Sequence, residues 1–312
     1  MFSVIFPGQG SQSVGMAQNL YSKFDLIKNL FKEADQILEF PISKLILNGP
    51  KDKLDLTENT QPAIFLVGFS IFNLIQKEFK INLNNANFFA GHSLGEYTAL
   101  ACSDVLSFAD TLKILKIRGK AMQNAVPKGE GGMIAVLGSD PESIEKILEK
   151  NKDRYECFIA NDNSTGQLVL SGKNEDLEKL IIILKDKSIK NIKLPVSAPF
   201  HCPLMNKATK KMIEELNKLN FKNSTSKLIS NVTAEEISDE KNLKELLIRQ
   251  IENRVRWRES VLNMINKGTN QFIEIGPGKV LSGMVKRTIK NVNCFSINSI
   301  VDVENVLNEL KK

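Results

Sequence analysis

The chain has 312 residues, 42% of them hydrophobic and 25% charged, with 42 Lys and Arg against 36 Asp and Glu and a formal net charge of +6. That length buries a sizeable core and holds one large domain or two moderate ones, and no apolar run approaches the roughly 18–20 residues of a membrane span. Two histidines and four scattered cysteines (Cys102, Cys157, Cys202, Cys294) argue for a reducing cytosol and against a disulfide framework or a metal site, and without a basic stripe interleaved with aromatics nucleic acid is not expected as a partner.

The opening FSVIF (2–6) has no basic segment or cleavage site of a signal peptide and is expected as a strand, ending in the glycine turn PGQGSQ. A helical pattern follows near 14–38, an apolar helix over 61–79, and a buried strand over 86–91 that runs into GHSLG. Another helix is expected over 107–125. Alternating strand, turn and helix indicate an α/β architecture with a largely parallel sheet.

Near Gly131 the rhythm changes to strand (MIAVLG), helix (DPESIEKILEKN), strand (YECFIA), strand (GQLVLSG), helix (NEDLEKLIIILKDK) and strand (IKNIKLPV). This β-α-β-β-α-β order is the ferredoxin-like signature, and VPKGEGG (126–132) and PVSAPFHCP (195–203) bracket it as linkers. The expected division is a large subdomain from 1–126 and 198–312 with a small ferredoxin-like subdomain, 127–197, inserted into it. The large part resumes with a helix over about 203–219, a strand KLISNV (227–232), a helix near 241–252, a strand QFIEIG (271–276) and a helix after the GPG turn.

Ser93 follows a buried strand and precedes a helix-forming run, the context a G-x-S-x-G elbow needs. Gly91 allows a sharp turn, Gly95 lets the new helix pass close to the sheet, and the hydroxyl projects at the helix N-terminus. A serine needs a base to take its proton. His92 is adjacent and diverges from Ser93 at a tight turn, which leaves His201, in the linker where the chain re-enters the large subdomain, as the candidate base. Arg118 is the third signal. At about 100° per residue, Lys113, Lys116, Lys120 and Gln123 make the wet face of the 107–125 helix, and Arg118 projects almost opposite, among Ile114, Leu115, Ala121 and Met122. A guanidinium facing inward needs an anion: either a buried Asp or Glu, or a substrate carboxylate held bidentately.

Together FPGQGSQ (6–12), GHSLGEY (91–97), Arg118, SAPFHC (197–202) and EIGPGKVL (274–281) resemble the malonyl-CoA:acyl carrier protein transacylases of type II fatty acid synthesis. The resemblance spans nearly the whole chain and implies an α/β-hydrolase-like acyltransferase core carrying the ferredoxin-like insert. By position it implies that Ser93 is the nucleophile, His201 its base and Arg118 the anchor of the malonyl carboxylate. The backbone N–H groups of Gln9 and Leu94 would form the oxyanion hole, the main-chain carbonyl of Gln250 would orient the histidine, and His92 would line the cleft as a positioning residue. It implies malonyl-CoA as donor, the phosphopantetheine thiol of an acidic acyl carrier protein as acceptor, no bound cofactor and a monomer, while the cysteine and histidine pattern already places the chain in the cytoplasm without a metal. Arg254 stands where many members have proline, a departure that bears on the loop carrying Gln250, and Phe200 resembles the malonyl-selective form. Two rival readings use the same residues: a serine thioesterase on the Ser93–His201 pair, against which Arg118 argues, and a non-catalytic carrier-binding module.

Overall fold

The computed structural model describes residues 1–310 apart from Ser197 and Ser238. Ser197, first residue of the SAPFHC stretch and last of the expected small subdomain, therefore lies outside the described residues. In chain order the described strands are β1 (Phe2–Phe6), β2 (Phe89–Gly91), β3 (Gly131–Leu137), β4 (Cys157–Ser164), β5 (Gln167–Lys173), β6 (Lys190–Lys193), β7 (Gln271–Ile275) and β8 (Asn293–Ile297). They make two sheets.

The first sheet, ordered β2-β1-β7-β8, is parallel throughout. Its central strand β1 is buried from Ser3 to Phe6, as a strand covered by helices on both faces must be. Aromatic side chains tie sheet to helix: Phe89 meets Phe6 at 5.9 Å and Phe72 at 5.6 Å between ring centroids, both edge-on. The Thr57–Lys77 helix, apolar on nearly every side, fills the space between this sheet and the Phe108–Gln123 helix. Gly119 sets that approach, since a Cβ there would lie 2.5 Å from the Thr57 carbonyl oxygen.

The second sheet, ordered β4-β5-β3-β6, is antiparallel, with helices Pro141–Lys150 and Asn174–Asp186 as its connections. Its βαββαβ order is the expected one. Ile134, Val136, Leu168, Leu170 and Leu180 form a core of its own. Two main-chain bonds join β4 to the segment after Gln250: Asp162 N–H to Val255 O (2.9 Å) and Val255 N–H to Ala160 O (2.8 Å). Beside them the buried Asp162 carboxylate receives Arg258 through Nε (3.0 Å) and Nη2 (2.8 Å).

Several elements differ from expectation. The 14–38 pattern is two helices, Gln18–Lys23 and Asp25–Leu38, parted at Phe24, which is extended and turns its ring onto Phe79 at 6.0 Å. The helix expected from 61 begins at Thr57, because Asn59 and Thr60 bond the carbonyls of Lys53 and Leu54 (2.8 and 2.6 Å) and hold a turn before Pro62. KLISNV is not a strand. Leu228 makes one parallel bridge to Phe89, and Asn231 then turns its side chain inward. The helix expected over 203–219 is a 3₁₀ turn, Pro203–Met205, followed by Asn206–Leu216. Strand β8 and the final helix Ile300–Leu310 had no sequence expectation; β8 is only partly buried, at the sheet edge, and its apolar signal is correspondingly weak.

Candidate active site

Strands β1 and β2 end level, with Phe6 opposite Gly91, so the loops that follow them leave the sheet side by side. The Leu94–Cys102 helix springs from the second loop and is buried along its whole length. Both glycines of GHSLG serve close approach: a Cβ at Gly91 would lie 1.9 Å from the Gly95 carbonyl group, and one at Gly95 would lie 2.2 Å from the Phe6 oxygen. The unusual backbone belongs to Ser93 itself, at φ 54 and ψ −109, a region that costs a non-glycine residue about 1–3 kcal/mol. Its hydroxyl does not cap the helix and is free to point outward.

That hydroxyl lies 2.8 Å from His201 Nε2. On the far side of the ring, His201 Nδ1 lies 2.8 Å from the main-chain carbonyl of Gln250. A carbonyl only accepts, so Nδ1 carries the proton and Nε2 presents its lone pair to the serine O–H. The His201 loop is held by Ser171 of β5, which donates to the Phe200 carbonyl at 2.6 Å, and by Cys202 Sγ on the Pro199 carbonyl. Burial, and then the nearby Arg118 charge, push the imidazole down to about 3. It is therefore a neutral acceptor at physiological pH.

Arg118 is fully buried. Its Nη1 donates to Gln61 Oε1 (2.8 Å), its Nη2 to Gln250 Oε1 (2.7 Å) and to Ser93 Oγ (3.2 Å), and its Cζ sits 5.3 Å from the Tyr97 ring centroid. Its hydrogen bonds thus go to two amide oxygens and a hydroxyl, while Nε has no partner among the described residues. Arg118 is thus a buried cation whose own hydrogen bonds all end on neutral groups, the Ser93 hydroxyl among them.

No hydrogen bond among the described residues takes up the main-chain N–H of Gln9 or of Leu94. The Gln9 loop rides on the elbow: a Cβ at Gly8 would lie 2.6 Å from the His92 carbonyl oxygen. His92 itself bonds Asn163 Oδ1 through Nε2 at 2.8 Å and stands edge-on to Trp257 at 5.8 Å; burial pushes its imidazole down. A cavity of about 150 Å³ joins these parts, with Gln9, Gln61, His92, Ser93 and His201 at its polar end. Met133 and Val169 from the second sheet, Val196 and Phe200 from the linker, and Met284 give it apolar walls, so it lies between the two sheets.

The structure brings Ser93, His201, Arg118, Gln250, Gln9 and His92 to one place. Arg254 bonds Glu145 at 2.5 Å while the neighbouring segment pairs with β4, and the Gln250 carbonyl keeps its reach to His201. Sequence reasoning missed Gln61, Asn163, Asn231 and Glu96. Glu96 had a signal: apart from it, residues 89–103 carry no Asp, Glu, Lys or Arg, so a carboxylate there had to be buried.

Residues 3–311 match the family model described as acyl transferase domain. A Bacillus subtilis (strain 168) protein named malonyl CoA-acyl carrier protein transacylase is 39% identical over 310 residues, covering 99% of this chain and 96% of its own. The crystal structure of a malonyl CoA-acyl carrier protein transacylase from Clostridium perfringens superposes with a TM-score of 0.94 at 38% identity, over 99% and 97% of the two chains. A malonyl-transacylase solved in complex with its type II PKS acyl-carrier protein gives 0.95 at 34% identity, over 99% of both chains.

Proposed function

The chain belongs to the acyl transferase domain family, and from that premise we infer that it transfers malonyl from malonyl-CoA to the phosphopantetheine thiol of acyl carrier protein, supplying fatty acid synthesis. The relatives carry the name of that reaction, and one is solved with its carrier protein. The reaction needs no cofactor. What carries the reading to these residues is the position of Arg118 Nη2, 3.2 Å from Ser93 Oγ, which is itself 2.8 Å from His201 Nε2. A nucleophile with a buried cation beside it suits an acyl group that ends in a carboxylate.

In the assignment we propose, the Ser93 O–H proton passes to His201 Nε2 as Oγ attacks the thioester carbon. The N–H groups of Gln9 and Leu94 hold the developing oxyanion, and each such donor is worth on the order of 10²–10³ in rate. The tetrahedral intermediate collapses with cleavage of the C–S bond, and the CoA sulfur takes the proton back from His201. The Gln250 carbonyl keeps the Nδ1–H aligned and favours the imidazolium while it exists. Arg118 holds the malonyl carboxylate and His92 shapes the cleft. The carrier thiol then gives its proton to His201 as its sulfur attacks the malonyl-serine ester; the acyl C–Oγ bond breaks and Ser93 Oγ takes the proton back from His201, closing a ping-pong cycle.

The net charge of +6 supports an acidic carrier. Ser93, His201 and Arg118 meet within one chain, which supports a monomer, and four free cysteines support the cytoplasm. Among the described residues no helix is long and apolar enough to cross a membrane. Residues 1–126 and 198–312 are taken as the large subdomain and 127–197 as the insert, with the cavity between them. Intact-mass analysis after mixing with malonyl-CoA tests the reading: a malonyl adduct abolished by Ser93→Ala and discharged by carrier thiol supports it. Fast discharge by water alone would make the protein a thioesterase, and no adduct would make it a non-catalytic module.

A further inference from the structure

Gln250 does more than lend a carbonyl to His201. Its side-chain amide lies where three segments meet. Oε1 accepts from Arg118 Nη2 at 2.7 Å, and Nε2 donates to Glu96 Oε2 at 2.6 Å and to the Ser93 carbonyl at 3.0 Å. An amide of this kind could turn over and exchange oxygen for nitrogen. Ionised Glu96 and the Ser93 carbonyl only accept and Arg118 only donates, so the partners dictate one orientation.

Glu96 sits on the first turn of the Leu94–Cys102 helix, 2% exposed. The same Oε2 that receives Gln250 also receives the main-chain N–H of Asn231 at 3.3 Å. The Asn231 side chain accepts the Ser93 N–H at 2.7 Å and donates to the Gly91 carbonyl at 2.7 Å. The strained Ser93 backbone is therefore held at its N–H by Asn231 and at its C=O by Gln250, and both holders hang on one carboxylate oxygen. Burial pushes that carboxyl up to about 7, while the two N–H donors and the Arg118 charge work to keep it ionised.

We propose that Glu96 is a positioning residue: its buried carboxylate fixes the orientation of the Gln250 side-chain amide, and that amide aims the Arg118 guanidinium and braces the Ser93 carbonyl. This rests on the reading of Ser93 as nucleophile and Arg118 as carboxylate anchor. Glu96 reaches neither substrate nor the reacting atoms, and its influence passes through Gln250.

The test is a double-mutant cycle on the full chain, with malonyl-CoA and a carrier protein. Glu96→Gln keeps the volume and removes the charge that prevents the Gln250 amide from turning over. Its kcat/KM should fall about 10- to 100-fold, the worth of a charge-assisted hydrogen bond. Its melting temperature should hold or rise, because a buried charge is gone. Gln250→Ala keeps the main-chain carbonyl for His201 and removes the amide, at a similar cost. The double variant should lose no more than the worse single one, since both changes remove the same link. Losses that multiply, or a Glu96→Gln protein within twofold of wild type, would overturn the proposal. Should Gln250→Ala not fold, labelling of Ser93 by an uncharged sulfonyl fluoride decides: slower labelling in folded Glu96→Gln supports the brace, and an unchanged rate overturns it. A wild-type protein that takes no acyl group from malonyl-CoA fails the underlying reading, and the labelling comparison still judges Glu96.

Discussion

Ser93 and His201 meet at 2.8 Å with both backbones in the left-handed half of conformational space, at φ 54 and φ 57. Neither is glycine, so each carries a local cost of about 1–3 kcal/mol that its surroundings must offset. For Ser93 those surroundings are Asn231 and Gln250; for His201 they are Ser171 and the turn closed by Cys202.

Ser93→Ala should abolish acyl-enzyme formation, and His201→Ala should leave residual acylation about 10²- to 10⁴-fold slower, the usual worth of a general base. Single-turnover release of CoA measures both. Near-native turnover in His201→Ala would refute the pairing.

Arg118→Ala should separate two thioesters. Malonyl-CoA should lose about 10²- to 10⁴-fold in kcat/KM, as a bidentate charge-assisted contact disappears, while acetyl-CoA, which never made that contact, changes little or improves. Equal losses for both substrates would show that Arg118 only supports the fold. Arg118→Lys should not restore malonyl, because an ammonium cannot span Gln61 and Gln250 and still face a carboxylate.

Acid stability should carry opposite signatures from two buried groups. Unfolded His201 takes up a proton near its ordinary 6.5, and the folded residue resists it down to about 3, so the folded state loses stability as pH falls below 6.5. Folded Glu96 keeps its proton up to about 7 against 4.5 unfolded. Its contribution is present below 4.5 and is lost as pH rises through 7. Melting curves from pH 5 to 8 should show His201→Ala losing less than wild type on the acid side, and Glu96→Gln gaining on wild type at pH 8.

Arg258→Ala strands the Asp162 carboxylate, which is fully buried and takes three hydrogen-bonding contacts from that guanidinium. Breaking one partner of a buried pair costs about 3–5 kcal/mol, and Asp162→Asn in the same chain should recover much of it. Urea denaturation of the two variants checks this. Independence of the two substitutions would remove Arg258 from the junction between the sheets.

Much of the site was legible because its residue types are rare or misplaced. Two histidines in the whole chain leave few bases to choose from, and a charge on the dry face of the 108–123 helix declares itself by periodicity alone. The βαββαβ order was legible because amphipathic helices and short apolar strands alternate there with little ambiguity. Asn231 was hidden for the opposite reason. It closes an apolar run that reads as strand, and only the competition of its own side chain for the Ser93 N–H and the Gly91 carbonyl turns the chain away from the sheet. Strand β8, half-buried at an edge, gives too little alternation to be found without its neighbour β7.

The level ending of β1 and β2 also limits which changes of length the gene can accept. One residue of strand spans about 3.3 Å, longer than the 2.8 Å bond between Ser93 and His201, and a slip by one residue turns every side chain to the opposite face. A codon gained or lost within 2–6 or 89–91 would move the Gln9 loop away from the elbow and bring Phe6 out of register with Gly91. The connecting stretch is exposed at Lys80, Asn82 and Asn85, with Leu83 between them held in the core, so a change of length at those exposed positions leaves that alignment intact. A change of length in this half of the chain is thereby compatible with the site only in segments that do not measure out the distance between the two loops.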